Sequence, residues 1–498
     1  MNNESNEIKK IKYYLRDIKD IDSQLNDLFL ERVSLSEEIY EYIFNNNIEN
    51  DKLTKNIQFV NFNGISKIPE LNEIYKILIK SNKKQFNRIK KEYNLEYALV
   101  NYGENKFTEY ILNRFIGNEI GFFNLDEDEI QNLLKRSSFK GYFINTKNSH
   151  KFMKTIEDST FQAKEIGDLN LIQKVNGKNF GFNTEYYGYL QFFNKYRLQI
   201  QDKNILILRG GDSINSLKYA LTRLGANSIE IYNKDEIFQK EYSSEIFINM
   251  LDSDIENYEN IIYLSNFPNL EYIIDFSKDV LFSKLYIDAK NNNIDIYRGF
   301  IKELYQTKKS LEILTRKKYS EYVFENIFDD YIKENMNIVL VGMPGAGKTT
   351  IGRKLGKIMN RKHYDLDREF QNEYGISPAD FLRNQDEDTF REMEKKIVRR
   401  LGNLQNVIIS TSGGVVSKME NYYHLKKNSI IFMIERNINY LSTKNRPLSE
   451  GGIETLIKMK EEREKGYKYF TDYTVENRGN FDKAAYLVEE KFNSLEIF

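Results

Sequence analysis

The chain has 498 residues, 40% hydrophobic and 30% charged, with a formal net charge of −1. At roughly 150 residues per domain this predicts about three domains with real cores, and the near-zero balance excludes a general nucleic-acid or anionic-membrane binder. There is no cysteine, which excludes disulfides and thiolate metal sites, and the scattered His150, His363 and His424 do not make a histidine metal site.

In chain order, the first ten residues are polar and lack the apolar core of a secretory signal. No run approaches the ~20 apolar residues of a membrane span, so a cytoplasmic protein is expected. Residues 8 to 45 predict a long amphipathic helix, because Leu15, Ile18, Ile21, Leu25, Leu28, Leu35 and Ile39 recur at spacings of three, four or seven. A second helix is expected from Leu71 to Ile89, after a polar Asn-rich stretch. From Tyr97 to Gly299 short β-like runs alternate with helical ones. The clearest strands are at 97–100, 204–208, 229–232, 261–264 and 272–275, a pattern that predicts an α/β unit on a parallel sheet. A helical stretch over 300–333 leads, without a Gly- or Pro-rich spacer, into a last segment with strands expected at 338–341, 407–411, 429–434 and 472–476. The expected division is 1–92 helical, 93–318 α/β, 319–335 a helical linker and 336–498 a second α/β domain.

The most specific motif lies in that last segment. Gly342 to Thr349, GMPGAGKT, fits G-x-x-x-x-G-K-[ST] between an apolar run and a helical stretch. Glycines there let backbone N–H groups close around phosphate oxygens, with the helix N-terminus adding a favourable dipole. Gly342, Gly345, Ala346, Gly347, Lys348, Thr349 and Thr350 are therefore read as an ATP site. Lys348 reaches the β- and γ-phosphates and the Thr349 hydroxyl is directed at Mg²⁺. Downstream come Asp365 and Asp367, Phe390-Arg391-Glu-Met-Glu394, Ser412-Gly413-Gly414 after a strand, Asn445-Arg446-Pro-Leu448, and Arg463 one helical turn before Tyr467. Carboxylates one residue apart can divide labour between a metal and an acceptor hydroxyl.

Taken in this order, the motifs over residues 336 to 493 resemble shikimate kinase, a small P-loop kinase with an α/β/α fold on a parallel sheet. The resemblance implies ATP as co-substrate, Mg²⁺, and shikimate as acceptor. Asp365 would assist the metal with Thr349, and Asp367 would hold the acceptor hydroxyl. Arg391 and Arg463 would clamp the carboxylate, Gly413 and Gly414 would line the ring, and Arg446 would close over the transferring phosphate. Two guanidiniums suit a planar carboxylate. Two departures stand out: Ser412 replaces the first glycine of a triplet, and the stretch before Arg446 is short and lacks an arginine often found near the adenine.

In the middle, Asn204 to Leu221 has strand–turn–helix form. With Ala163 to Gly167, Asn170, Gly181 to Glu185, Gly188, Gly299 and Gln306 it resembles shikimate dehydrogenase, a Rossmann-like fold that uses NADP. Arg209 and Asp212 stand where that family's phosphate loop has glycines, opposing a pyrophosphate in bulk and, at Asp212, in charge. The family's Lys–Asp pair maps to Glu185 on one side and to Ser149 on the other, with Lys147 and Lys151 as shifted candidates. These departures predict a retained fold without the dinucleotide chemistry.

At the N-terminus, Leu15 to Leu25 with Arg32, Ser81 and Gln85 resembles the all-helical chorismate mutases. The lysine expected on the first helix falls on Ile43, so a packing module is expected. Such helices usually bury their stripe in a dimer, which implies a homodimer built through them. The reading is a multidomain α and α/β protein of aromatic biosynthesis with a kinase as its secure activity. The alternatives are a trifunctional enzyme, a kinase with a regulatory front half, and a kinase for another small acceptor such as gluconate.

Overall fold

The computed structural model describes residues 95–100, 106–136, 139–146, 149–210, 214–233, 241–251, 263–277, 281–441 and 452–495. Both N-terminal helices expected from periodicity, with Arg32, Ser81 and Gln85, lie outside them. The described residues fall into two compact units, one of 95–106, 116–148 and 174–179, the other of 107–115, 149–173 and 180–495.

In the first unit, β1 (Tyr97–Val100) is paired in parallel with β2 (Ile120–Phe123) on one side and β3 (Gly141–Ile144) on the other. Every residue of the three strands is buried, as continuous apolar runs in parallel sheets require.

In the second unit, β4 (Asp158–Ser159) pairs in parallel with residues 180–181 of β6 (Lys178–Phe182); β5 (Leu171–Val175) and β6 each have two residues, 174–175 and 178–179, assigned to the first unit. A five-stranded parallel sheet follows, built from β7 (Asn204–Arg209), β8 (Ser228–Asn233), β9 (Ile246–Met250), β10 (Tyr272–Asp275) and β11 (Asp295–Arg298). Its spatial order is β8-β7-β9-β10-β11, a doubly wound arrangement of the Rossmann type. One expected strand is corrected here. Leu264 belongs to the short 3₁₀ turn Leu264–Asn266, while residues 261 and 262 lie outside the described ones. The third strand of the sheet is instead Ile246–Met250, whose first four residues are fully enclosed. Short apolar runs fit strand and turn alike, and here the pairing with β7 and β10 decided between them.

The expected helical linker is two helices, Ile301–Thr315 and Glu321–Asn335, broken at Arg316, which takes a left-handed φ of 57°. The second leads into β12 (Asn337–Val341), followed by β13 (Lys362–Asp365), β14 (Val407–Ser410), β15 (Ser429–Glu435) and β16 (Tyr473–Glu476). All neighbours are parallel, in the order β13-β14-β12-β15-β16. Central β12 is buried along its whole length. Val339 and Val341 pack with Ile409, Ile431, Phe370, Phe390, Val398 and Phe470 in one apolar core. That core holds the carboxyl ends of β12 and β14 rigidly at one edge, where ligands of such sheets bind. No helix among the described residues is long and apolar enough to cross a membrane.

Candidate active site

The loop after β12 has the shape its glycines predict. Gly342 takes φ 144° and Gly347 φ 102°; a Cβ on Gly347 would stand 2.7 Å from the Phe481 ring and 2.8 Å from the Asn477 amide. Only glycine fits there. The loop delivers Lys348 and Thr349 to the first turn of the helix Lys348–Ile358. Lys348 is buried, and its Nζ donates to the carbonyls of Gly342 at 2.8 Å and Met343 at 3.2 Å, curled over the loop that would hold phosphate. Asn477 Nδ2, just past β16, donates to the Ala346 carbonyl at 2.7 Å and braces the loop from the far side.

The Thr349 hydroxyl donates to Asp365 Oδ2 at 2.6 Å, and Asp365 Oδ1 accepts from the backbone of Arg368 at 3.2 Å, capping the helix Leu366–Tyr374. A hydroxyl and a carboxylate oxygen side by side next to a phosphate loop fit Mg²⁺, which takes few protein ligands and completes its shell with water and phosphate. No cluster of three or more His, Cys, Asp or Glu suited to a metal occurs among the described residues.

Arg391 is 3% exposed on the helix Glu387–Gly402, yet it reaches the same cavity. Its Nη1 donates to Glu394 Oε2 at 2.9 Å and its Nη2 to Glu387 Oε1 at 2.7 Å, while its buried Nε has no partner. Burial alone would lower its pKa, but Glu394 and Glu387 outweigh it and hold the guanidinium above its ordinary range. A Cβ on Gly414 would fall 2.0 Å from Arg391 Nη2, so the glycine is what lets the guanidinium lie against this turn. Opposite, Arg463 Nη1 at 3.0 Å and the Tyr467 hydroxyl at 2.6 Å both donate to the Gly413 carbonyl. Burial pushes Tyr467 up to about 12, so it stays a donor across the working pH range.

These groups converge. One cavity of about 350 Å³ is lined by Gly345, Gly347, Lys348, Thr349 and Thr350 on the phosphate side, and by Asp367, Arg391, Gly413, Gly414 and Arg463 on the other. Arg446 lies outside the described residues. Glu394, named from sequence as the end of the Phe390–Glu394 motif, orients Arg391. Two contributors were not singled out from sequence: Asn477 braces the loop, and Arg436 lines the cavity with its guanidinium 5.7 Å over the Phe481 ring. Nothing local marked either.

The central sheet is different. Ser149, at the position expected to carry a lysine, donates to Asp168 at 2.6 Å. Lys151 is exposed on a 3₁₀ turn, and Lys147 lies outside the described residues. Glu185 takes its ammonium from Lys302, which sequence reasoning passed over: Nζ sits 2.8 Å from Glu185 Oε1 and 2.8 Å from Glu303 Oε1. Burial would lower the Lys302 pKa, but the two carboxylates outweigh it and hold it well above its usual value. Asn170 is tied to Thr184, its Oδ1 accepting from the backbone N–H at 2.6 Å, and Gln306 leaves a buried Oε1 without a partner. Arg209 ends β7 with a buried, unpartnered Nε, and Asp212 lies outside the described residues. Arg209 thus stands at the strand end where a dinucleotide fold brings bare backbone to a pyrophosphate.

Comparison with known proteins agrees with the last sheet. A family model described as shikimate kinase matches residues 344–493. A shikimate kinase of Caldanaerobacter subterraneus subsp. tengcongensis is 36% identical over 149 residues, covering 28% of this chain and 85% of that protein. A bifunctional shikimate kinase/3-dehydroquinate synthase of Thermotoga maritima is 32% identical over 165 residues, 32% of this chain; the match spans only 34% of that relative's length. Among solved structures, a chorismate mutase/shikimate 5-dehydrogenase fusion protein from Clostridium acetobutylicum is similar at 16% identity and a TM-score of 0.41, over 47% of this chain and 96% of that one. Through its C-terminal third, this chain belongs to the shikimate kinase family of ATP-dependent kinases.

Proposed function

We propose that residues 336–498 transfer the γ-phosphate of ATP to the 3-hydroxyl of shikimate, giving shikimate 3-phosphate and ADP, in the cytoplasm. The observation that carries this reading is the single cavity into which a phosphate loop, an acid and two arginines converge. Arg391 and Arg463 hold the carboxylate of the acceptor, with Gly413 and Gly414 leaving room for its ring. Asp367 accepts the proton of the attacking hydroxyl as the new O–P bond forms and the bond to the ADP oxygen breaks. Lys348 exchanges its loop carbonyls for β- and γ-phosphate oxygens and offsets the charge there, and Arg446 would close over the transferring phosphate. Thr349 and Asp365 would hold a Mg²⁺, whose charge supplements that of Lys348. Little covalent work falls to the protein, so positioning and charge neutralisation supply most of the rate.

The test follows ATP consumption by the whole chain with shikimate, with gluconate, and in the Lys348→Ala variant. Shikimate-dependent turnover that Lys348→Ala abolishes is expected. Turnover with gluconate alone, or turnover indifferent to Lys348, would overturn the assignment.

For residues 93–318 we propose a role without redox turnover, with 319–335 as a linker and residues 1–92 as a helical dimerising module. Glu185 is neutralised by Lys302 rather than left to a substrate, which supports this. Oxidation of NADPH with 3-dehydroshikimate would refute it.

A further inference from the structure

A second cavity, of about 340 Å³, lies away from the phosphate loop, between the helix Lys284–Asn291 and the back of the C-terminal sheet. Its walls are aromatic: Phe282 and Tyr286 on one side, Tyr422 and Tyr473 on the other. The floor is a buried ion pair. Lys426, 6% exposed, donates to Asp472 Oδ1 at 2.7 Å and Oδ2 at 2.6 Å, and the same Oδ2 accepts from the Ile431 backbone at 2.7 Å. With these two charges spent on each other, Lys290 leaves the lining one positive charge in excess. Further positive charge lies over the rings, with the Arg298 guanidinium 5.2 Å over Phe282 and 5.4 Å over Tyr286, Lys426 4.3 Å over Phe282, Lys290 6.0 Å over Tyr286 and Lys491 4.6 Å over Tyr473. Aromatic walls suit a flat aromatic ligand by stacking or edge-to-face contact.

The cavity also has a mechanical position. Tyr473 opens β16, directly after Asp472, and Asn477, the residue after that strand, donates the bond that braces Ala346 in the phosphate loop. The other wall is pinned to the helices Glu420–Lys426 and Gly452–Phe470 by Tyr423 to Asp288 at 3.1 Å, Asn291 to Tyr469 at 2.8 Å, and the Phe282 backbone to the carbonyl of Lys427, the C-cap of the first. An occupant that presses on Tyr473 therefore acts on a strand whose other end holds the ATP loop.

We propose that this cavity binds a small aromatic monocarboxylate, its ring between Tyr286 and Tyr422 and its carboxylate on Lys290, and that occupancy is transmitted along β16 as a change in ATP affinity. The charge selects an anion, and the walls select a ring over an aliphatic chain. Linkage requires the effect to be mutual, with ATP changing the affinity of the occupant by the same factor.

The test uses the full chain with 4-hydroxybenzoate as probe and inorganic phosphate and cyclohexanecarboxylate as controls, read by calorimetry independently of turnover. Saturable binding of the aromatic acid and not of the controls is expected, weakened about tenfold by Lys290→Glu. Lys290 is exposed, so this variant should fold and keep its basal kinase rate; Tyr286→Leu is the second variant and should weaken binding in the same way. Saturation with the probe should shift the apparent ATP affinity about twofold or more. Absence of saturable binding, binding without any shift in ATP affinity, or binding lost in Arg463→Ala but unchanged in Lys290→Glu would each overturn the proposal. The last result would put the probe in the kinase cavity and leave the kinase assignment standing.

Discussion

The hydroxyl of Ser412 donates to Glu394 Oε1 at 2.5 Å, while Arg391 Nη1 donates to the other oxygen of that carboxylate at 2.9 Å. Glu394 is 1% exposed, so this short chain fixes the guanidinium from inside the protein. The serine that departs from the family's glycine triplet therefore has a physical role, supplying a partner to a carboxylate that water cannot reach. Replacing it with the family residue, Ser412→Gly, should cost about 1–3 kcal/mol by leaving a buried acceptor unmade. A lower melting temperature and a raised KM for shikimate, with a smaller change in kcat, are expected from thermal melts and steady-state kinetics. An unchanged KM would mean that Arg391 does not depend on this chain.

Gly414→Ala tests the same guanidinium from the opposite side. The added methyl would stand 2.0 Å from Arg391 Nη2, and the arginine must move. Displacement of a positioning group by about 1 Å can cut rate on the order of a hundredfold. kcat/KM for shikimate should fall in that range while KM for ATP changes little. Equal losses for both substrates would indicate a general disturbance of the loop.

Asn477→Ala removes the brace on the phosphate loop. Asn477 is buried, and its amide bonds the Ala346 carbonyl at 2.7 Å while its Oδ1 accepts from Gly479. Loss of a buried hydrogen bond of this kind is worth about 1–3 kcal/mol. KM for ATP should rise, and KM for shikimate should stay within error. The comparison is made by varying each substrate at saturation of the other.

His363 gives the kinase core a pH dependence of known sign. It packs between the P-loop helix and β14, its Nε2 2.9 Å from Ser410 Oγ, and burial lowers its pKa below the ordinary 6.5. Below that value the unfolded chain binds a proton that the folded chain resists. Stability contributed by the neutral ring is therefore full above 6.5 and is lost as pH falls towards the depressed folded value. Thermal melts between neutral and acid pH should show a steeper decline for the natural chain than for His363→Gln. Parallel curves would rule out His363 as a source of the slope.

Much of the kinase site was legible because its elements are local. A strand, a glycine loop and a helix in succession carry Lys348 and Thr349 together, and the spacing of Arg463 and Tyr467 by one helical turn brings both to the Gly413 carbonyl. The central sheet was legible in type but not in every strand. Ile246–Met250 and the run at 261–264 look alike as short apolar stretches, and only hydrogen bonding to β7 and β10 placed the first in the sheet.

By itself the sequence determined the class of chemistry, since G-x-x-x-x-G-K-T followed by an acid pair and spaced arginines restricts which ligand groups can be met. Tertiary structure alone decided how those groups are held and which distant residues they meet. Ser412 meets Glu394 across 18 residues, Lys302 meets Glu185 across 117, and Asn477 meets Ala346 across 131. Periodicity and local spacing carry no information about such pairs. Their strength comes from burial, which makes an unmatched charge or donor costly, and burial exists only once the sheets have closed.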